Sequence, residues 1–203
     1  MLAMARDVLS ALCQSKHLAG ILIVSRTPEA DALARAFATE RFAESPTADL
    51  PAALTQASRH LTEHFDATGV MIVPADIPLL DAAEIDSILR HHEQVTVIPD
   101  ADNVGTNALV LSPPDAIEFV FDGRSFRPHV DAAVAAGITP LIAKPAGFTL
   151  DIDTEADLRC LLDRGPHTQA GSFLIRSGIA ERLRGTQHSP ILGSGDADTG
   201  RSP

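Results

Sequence analysis

Tryptophan and tyrosine are missing from this 203-residue chain, and aromatic residues make up only 4% of it. A core without large rings must be filled by Leu, Ile, Val and Ala; at 45% hydrophobic content the chain has enough apolar side chains for one full α/β core. Cysteine is almost as scarce. Cys13 and Cys160 are the only two and neither belongs to a Cys-x-x-Cys unit, which excludes a disulfide-stapled scaffold and leaves two reduced thiols. Positive charge is also short: 16 Lys and Arg face 27 Asp and Glu, for a net charge of -11. Nonspecific binding to DNA or RNA needs a basic footprint, so nucleic-acid partners are excluded; a mononucleotide is not, because one local cation can offset its phosphates. No apolar run approaches the roughly 20 residues of a membrane span, and no basic segment precedes a hydrophobic leader, so no membrane partner is expected and cytoplasm is the default location. A Gly-x-x-x-x-Gly-Lys-Ser/Thr loop, a Gly-x-Ser-x-Gly elbow and a His-Glu-x-x-His pair are all missing, which removes the P-loop, serine-hydrolase and zinc-protease readings.

What is present is an alternation. Leu2, Ala5, Leu9 and Leu12 recur at helical spacing, and Ile21 to Val24 follow as a buried strand. Pro28 suits the first turn of a helix running through Phe37. Residues 50–64 predict another helix, and 69–73 another strand. Asp81 with Glu84 three residues on predicts a capping box for a helix over 82–91. Strands follow at 95–98 and 107–111, then a helix over 126–136 ended by Gly137, a short strand over 139–143, and a helix after Asp153 that Thr154 and Asp157 cap. Short apolar strands separated by helices predict a single-domain, Rossmann-like α/β fold with a mostly parallel sheet covered on both faces. Residues 1–184 form the domain; 185–203, rich in Gly, Ser, Thr, Asp and Pro, read as a mobile tail.

Such sheets bind ligands where their strands end, and four groups of residues lie there. Asp76 follows a strand and stands between Pro74 and Pro78, which stiffen the backbone around a carboxylate suited to a divalent cation or to a simple turn. Asp151 and Asp153, two apart in an extended stretch, point the same way and can grip one cation, unless Asp153 only opens the next helix. Gly105 permits a tight turn or close approach of a ligand and is the candidate cofactor-binding position; Thr106 and Asn107 add a hydroxyl and an amide for substrate. Gly123, Ser125 and the helix N-terminus after them form an anion site, near which Arg124 or Arg127 adds charge and His129 either touches the anion or packs. Lys144 reads as a solvated loop lysine.

The ordered set Pro74-Ala75-Asp76-Ile77-Pro78, Gly105-Thr106-Asn107-Ala108-Leu109, Ser125-Phe126 with His129, and Asp151-Ile152-Asp153-Thr154 resembles the 2-phospho-L-lactate guanylyltransferase family of coenzyme F420 biosynthesis, which includes phosphoenolpyruvate guanylyltransferases. The resemblance covers residues 2–184. It implies a nucleotidyltransferase that joins GMP from GTP to a phosphorylated three-carbon acid, which is 2-phospho-L-lactate, phosphoenolpyruvate or 3-phospho-D-glycerate, releases pyrophosphate, and hands the product to a transferase acting on the deazaflavin Fo. It implies Asp76, Asp151 and Asp153 as catalytic Mg2+ ligands, Thr106 at the acid's phosphate, and the Asp122–Ser125 loop opposite, with Gly123 doing the work of a glycine that relatives carry at the position of Asp122. Family members begin with a strand and a basic loop ahead of the helix that starts here at Leu2, so the chain is expected to lack that first strand. A sugar-phosphate or cofactor nucleotidyltransferase, or a non-catalytic relative, is the alternative reading. Homo-oligomer formation is left open.

Overall fold

The computed structural model describes residues 1–185, so the reading of the tail from 186 onward lies outside the described residues. The chain opens with helix α1 (Leu2–Gln14) and strand β1 (Leu22–Val24), then α2 (Glu29–Phe37), β2 (Glu40–Phe42), α3 (Leu50–Phe65) and β3 (Val70–Ile72). It continues through α4 (Ala82–His91), β4 (Val95–Pro99), β5 (Thr106–Leu111), α5 (Phe126–Ala135) and β6 (Leu141–Ile142). A 3-10 turn (Ala146–Phe148) leads to α6 (Glu155–Arg164), α7 (Gln169–Arg176) and α8 (Ile179–Gly185). No helix among the described residues is long and apolar enough to cross a membrane.

Local chemistry explains most boundaries. Asp49 accepts the Ala52 N–H and Pro51 sits in the first turn of α3. Thr154 and Asp157 exchange both bonds of a capping box at the start of α6, as the sequence predicts. The box predicted at Asp81 forms only by half. Asp81 accepts from Ala83 and Glu84, but the Glu84 carboxylate turns away and accepts the Gly147 N–H at 2.9 Å. Glu84 therefore ties α4 to the turn before α6 instead of closing its own helix. Strand β2 and helices α7 and α8 have no counterpart in the sequence reading. β2 has three residues, too few for a period to register. Around α7 and α8, Gly165, Pro166 and Gly178 interrupt the helical spacing that would reveal them.

Four strands form the main sheet in the order β3-β5-β4-β6, and β1 pairs with β2 in a separate parallel pair. β3, β4 and β6 share one direction, the mostly parallel arrangement expected, whereas β5 runs against β3 and β4. The reversal has a simple cause. β4 and β5 are joined by the six residues between Pro99 and Thr106, too few for a crossover but enough for a hairpin. Both sheet faces are covered. Ile98, Ala108 and Val110 pack with Val8 and Ala11 of α1 and with Ile85 and Ile88 of α4. Val95, Val97, Leu109 and Leu111 pack with Leu54 of α3 and Ala133 of α5 on the other face. Helix α1 also joins the two sheets, because Ala5 and Leu9 pack on Leu33 together with Ile21 and with Ile23 of β1.

Candidate active site

The reversed strand decides where the site lies. Because β5 is antiparallel, its first residues stand beside the end of β4, with Thr106 opposite Pro99. Thr106 and Asn107 thus join residues that follow the parallel strands. Asp76 lies in the turn after β3, partly buried, and its carbonyl accepts the Ile152 N–H at 3.0 Å. That bond pins the Asp151–Asp153 stretch against Asp76. The Asn107 side-chain amide completes the junction, donating to the Phe148 carbonyl at 2.8 Å and, more weakly, to Asp151 Oδ1 at 3.4 Å. Asn107 is buried, so its part is to hold the 148–151 segment on β5.

The electrostatics follow from this arrangement. The Asp76 carboxyl is held above the ordinary carboxylate range, first by desolvation and then by the negative charges of Asp153 and Asp151; a bond from its own backbone N–H opposes the rise. Among the described ion pairs, none involves any of the three aspartates. Among the described residues they are a patch of negative charge without an ion-pair partner. They do not form a finished metal shell: among the described residues no three acidic, histidine or cysteine side chains stand at metal-ligand spacing. Hard carboxylate oxygens with open positions left for water and phosphate suit magnesium, which keeps much of its hydration.

The second half of the site lies across from the β4–β5 hairpin. Asp100 accepts from the Val104 N–H at 2.9 Å and the Gly105 N–H at 2.6 Å, which shapes the hairpin loop. A Cβ on residue 105 would come within 2.8 Å of that carboxylate, so Gly105 is required by the loop's own packing. Its N–H is already used by Asp100, so what it offers a ligand is close approach of its backbone. The Phe126 N–H donates to the Val104 carbonyl, bringing the 122–125 loop against this hairpin. In that loop Gly123 adopts a φ of +81°, a left-handed conformation that glycine holds without strain, and Asp122 accepts the Arg124 N–H. Ser125 precedes α5, is only 2% exposed, and does not cap the helix with its side chain. Its hydroxyl suits an anion, whereas the first turn of α5 offers little beside it: the Phe126 N–H is taken by Val104 and Pro128 has none.

Three other candidates are engaged within the protein. His129 takes the second of its two alternatives and packs: it is fully buried, and its ring bonds to Thr106 and to the Val120 backbone. Arg127 pairs with Asp131 along α5. Lys144 is exposed but not merely solvated: its ammonium donates to Asn103 of the hairpin loop. A cavity of about 390 Å³ is lined by Pro78, Leu79, Glu84, Gly147, Arg164 and His167 among others. None of the three aspartates lines it, and its Glu84 and Arg164 are bonded to Gly147 and Ala146. The site is accordingly assigned by its chemistry, and not to that hollow.

The comparisons with known proteins bear on this geometry directly. The family described as "Guanylyl transferase CofC like" matches residues 1–189. The chain belongs to this family. Among its relatives, a 2-phospho-L-lactate guanylyltransferase of Methanothermobacter thermautotrophicus is 31% identical over 202 residues, spanning 99% of this chain and 85% of the relative. A phosphoenolpyruvate guanylyltransferase of Roseiflexus castenholzii is 34% identical over 181 residues, spanning 87% and 83%. A solved cytidylyltransferase of Leptospira borgpetersenii superposes over 94% of this chain and 88% of its own, with a TM-score of 0.56 at 14% identity. At that identity it establishes the fold alone: the α/β nucleotidyltransferase architecture expected for a CofC-like chain.

Proposed function

We propose that the protein is a Mg2+-dependent guanylyltransferase, which joins GMP from GTP to a phosphorylated three-carbon acid and releases pyrophosphate, in coenzyme F420 biosynthesis. The observation that supports this reading is the meeting of Asp76, Asp151 and Asp153, where burial and then the neighbouring charges raise the Asp76 pKa and which no described ion pair neutralises. Such an anionic patch suits a metal-bridged polyphosphate, and the hydroxyls of Thr106 and Ser125 suit a second anion. The names carried by both relatives agree with it.

Asp76, Asp151 and Asp153 would hold magnesium. When bound, the ion supplies neutralisation of the charge that two phosphate-bearing reactants bring together. The chain's own residues do the positioning. Thr106 donates to an oxygen of the acid, and Ser125 binds it from the other side. An oxygen of the acid's phosphate then forms a bond to the α-phosphorus of GTP while the bond to the bridging oxygen of pyrophosphate breaks. The nucleophile is already anionic near neutral pH, so no histidine or serine base is needed. Rate enhancement comes from alignment and fixed dipoles.

The test is pyrophosphate release with GTP and Mg2+ and, separately, 2-phospho-L-lactate, phosphoenolpyruvate and 3-phospho-D-glycerate. The product is identified by mass and by coupling to an Fo transferase. One acid should turn over with GTP well above the other three nucleotides, and Asp76→Ala should lower kcat about a hundredfold or more. Wild-type turnover by Asp76→Ala, or turnover only with another nucleotide, rejects the proposal.

A further inference from the structure

The His129 imidazole has both nitrogens engaged, and their partners fix its protonation. Nε2 lies 3.0 Å from the Val120 N–H. A backbone amide only donates, so Nε2 carries the lone pair. Burial pushes the imidazole pKa down to about 4, so near neutral pH the ring is uncharged and its one proton sits on Nδ1. Nδ1 is 3.0 Å from Thr106 Oγ1, and the hydroxyl oxygen must therefore accept. A hydroxyl that accepts from within the protein keeps its own proton for another acceptor. The ring is held in place from two further sides: it is fully buried, and the edge of Phe121 meets it with centroids 5.0 Å apart. The chain Val120–His129–Thr106 also ties the segment entering the 122–125 loop to the start of β5.

We propose that His129 is a positioning residue which, as the neutral Nδ1–H tautomer, fixes the Thr106 hydroxyl as a donor toward an anionic oxygen of the phosphorylated acid. This rests on the reading that the acid binds at Thr106. It gives His129 a role in acid affinity without contact to the acid, and no role in binding GTP.

The first measurement uses the unaltered protein. Nitrogen NMR of the labelled histidines should show His129 protonated at Nδ1 and bare at Nε2 near neutral pH; the opposite tautomer overturns the proposal. Thr106→Val removes the acceptor and should shift Nδ1 while leaving Nε2 in place. In steady-state assays Thr106→Val should raise KM for the acid roughly 10- to 100-fold, the worth of a hydrogen bond to a charged group, with KM for GTP unchanged. His129→Phe keeps the packing and loses the donor, so it should raise the acid KM roughly tenfold. His129→Asn places an amide N–H near Nδ1 and should restore most of that loss.

The decisive comparison is Thr106→Val/His129→Phe, whose acid KM should match that of Thr106→Val alone. Losses that multiply in the double variant would show that His129 acts only through stability. If Thr106→Val leaves the acid KM unchanged, the placement of the acid fails and this inference falls with it. If Thr106→Val raises the acid KM while His129→Phe does not, the inference alone fails. Should His129→Phe not fold, the tautomer and the Thr106→Val response of Nδ1 still decide.

Discussion

At the scale of single residues, Asp76 is where stability and function conflict. Its carboxylate is desolvated and faces two other negative charges, so the folded protein holds it in a disfavoured ionisation state at neutral pH. A raised carboxyl pKa costs stability above that pKa and returns it on protonation. Replacing the charge by its neutral isostere removes the cost permanently. Asp76→Asn should therefore melt at a higher temperature than the unaltered protein in metal-free buffer, while its kcat falls about a hundredfold or more. Millimolar Mg2+ should reverse the order of stability, because an ion that binds only the folded state of the unaltered protein stabilises it by mass action. A lower melting temperature for Asp76→Asn without metal would show that the three aspartates do not repel one another as described.

At the scale of elements, the turn between β6 and α6 is held by close packing that the site depends on. The Gly147 N–H reaches Glu84 of α4, and the Phe148 carbonyl accepts from Asn107 of β5. A Cβ at residue 147 would come within 2.5 Å of the Leu79 carbonyl and 2.6 Å of Glu84 Oε2. The glutamate can swing away, but the backbone of residue 79 cannot move without shifting the 76–81 loop. Gly147→Ala should thus destabilise by about 1–3 kcal/mol in denaturant unfolding. It should also lower kcat, because the displaced segment leads into Asp151. An unchanged unfolding midpoint would mean that the turn gives way freely.

At the scale of the whole molecule, His129 and Asp86 contribute most to the response to acid, and His92, also lowered by burial, acts in the same sense as His129. The folded pKa of His129 is about 4 against roughly 6.5 in an unfolded chain, so its contribution is complete above pH 6.5 and is lost as pH falls to 4. The linked change is of order 3 kcal/mol. Asp86 extends the decline. Hydrogen bonds from Ser15 and the Lys16 N–H, with His17 beside them, lower its pKa to about 2, so its contribution is present above about pH 4 and is lost toward pH 2. Protonation of Asp76 works in the opposite sense and tempers the loss. Chemical unfolding between pH 7 and 3 should show stability falling already between pH 6.5 and 4, and His129→Asn should flatten that first part. A flat profile down to pH 4 in the unaltered protein would contradict the burial of His129.

The sequence by itself determined the class of the molecule and the identity of its chemical groups. Apolar spacing and capping residues such as Thr154 and Asp157 act within one turn or strand, so they are legible wherever a period has room to repeat. Asp76, Asp151 and Asp153 stand out in the sequence as carboxylates that follow strands and lie in ordered motifs matching a family, although a turn or a helix start would use the same residues. The tertiary structure alone decided how those groups are employed. Nothing local to β5 says that it runs backwards, yet that reversal brings Thr106 and Asn107 to the end of the sheet where β4 finishes. Nothing local to α5 says that His129 faces inward to Thr106, or that Glu84 abandons its own helix for Gly147. Such choices depend on which distant groups meet in space, because a buried polar atom takes the partner that packing brings within 3 Å.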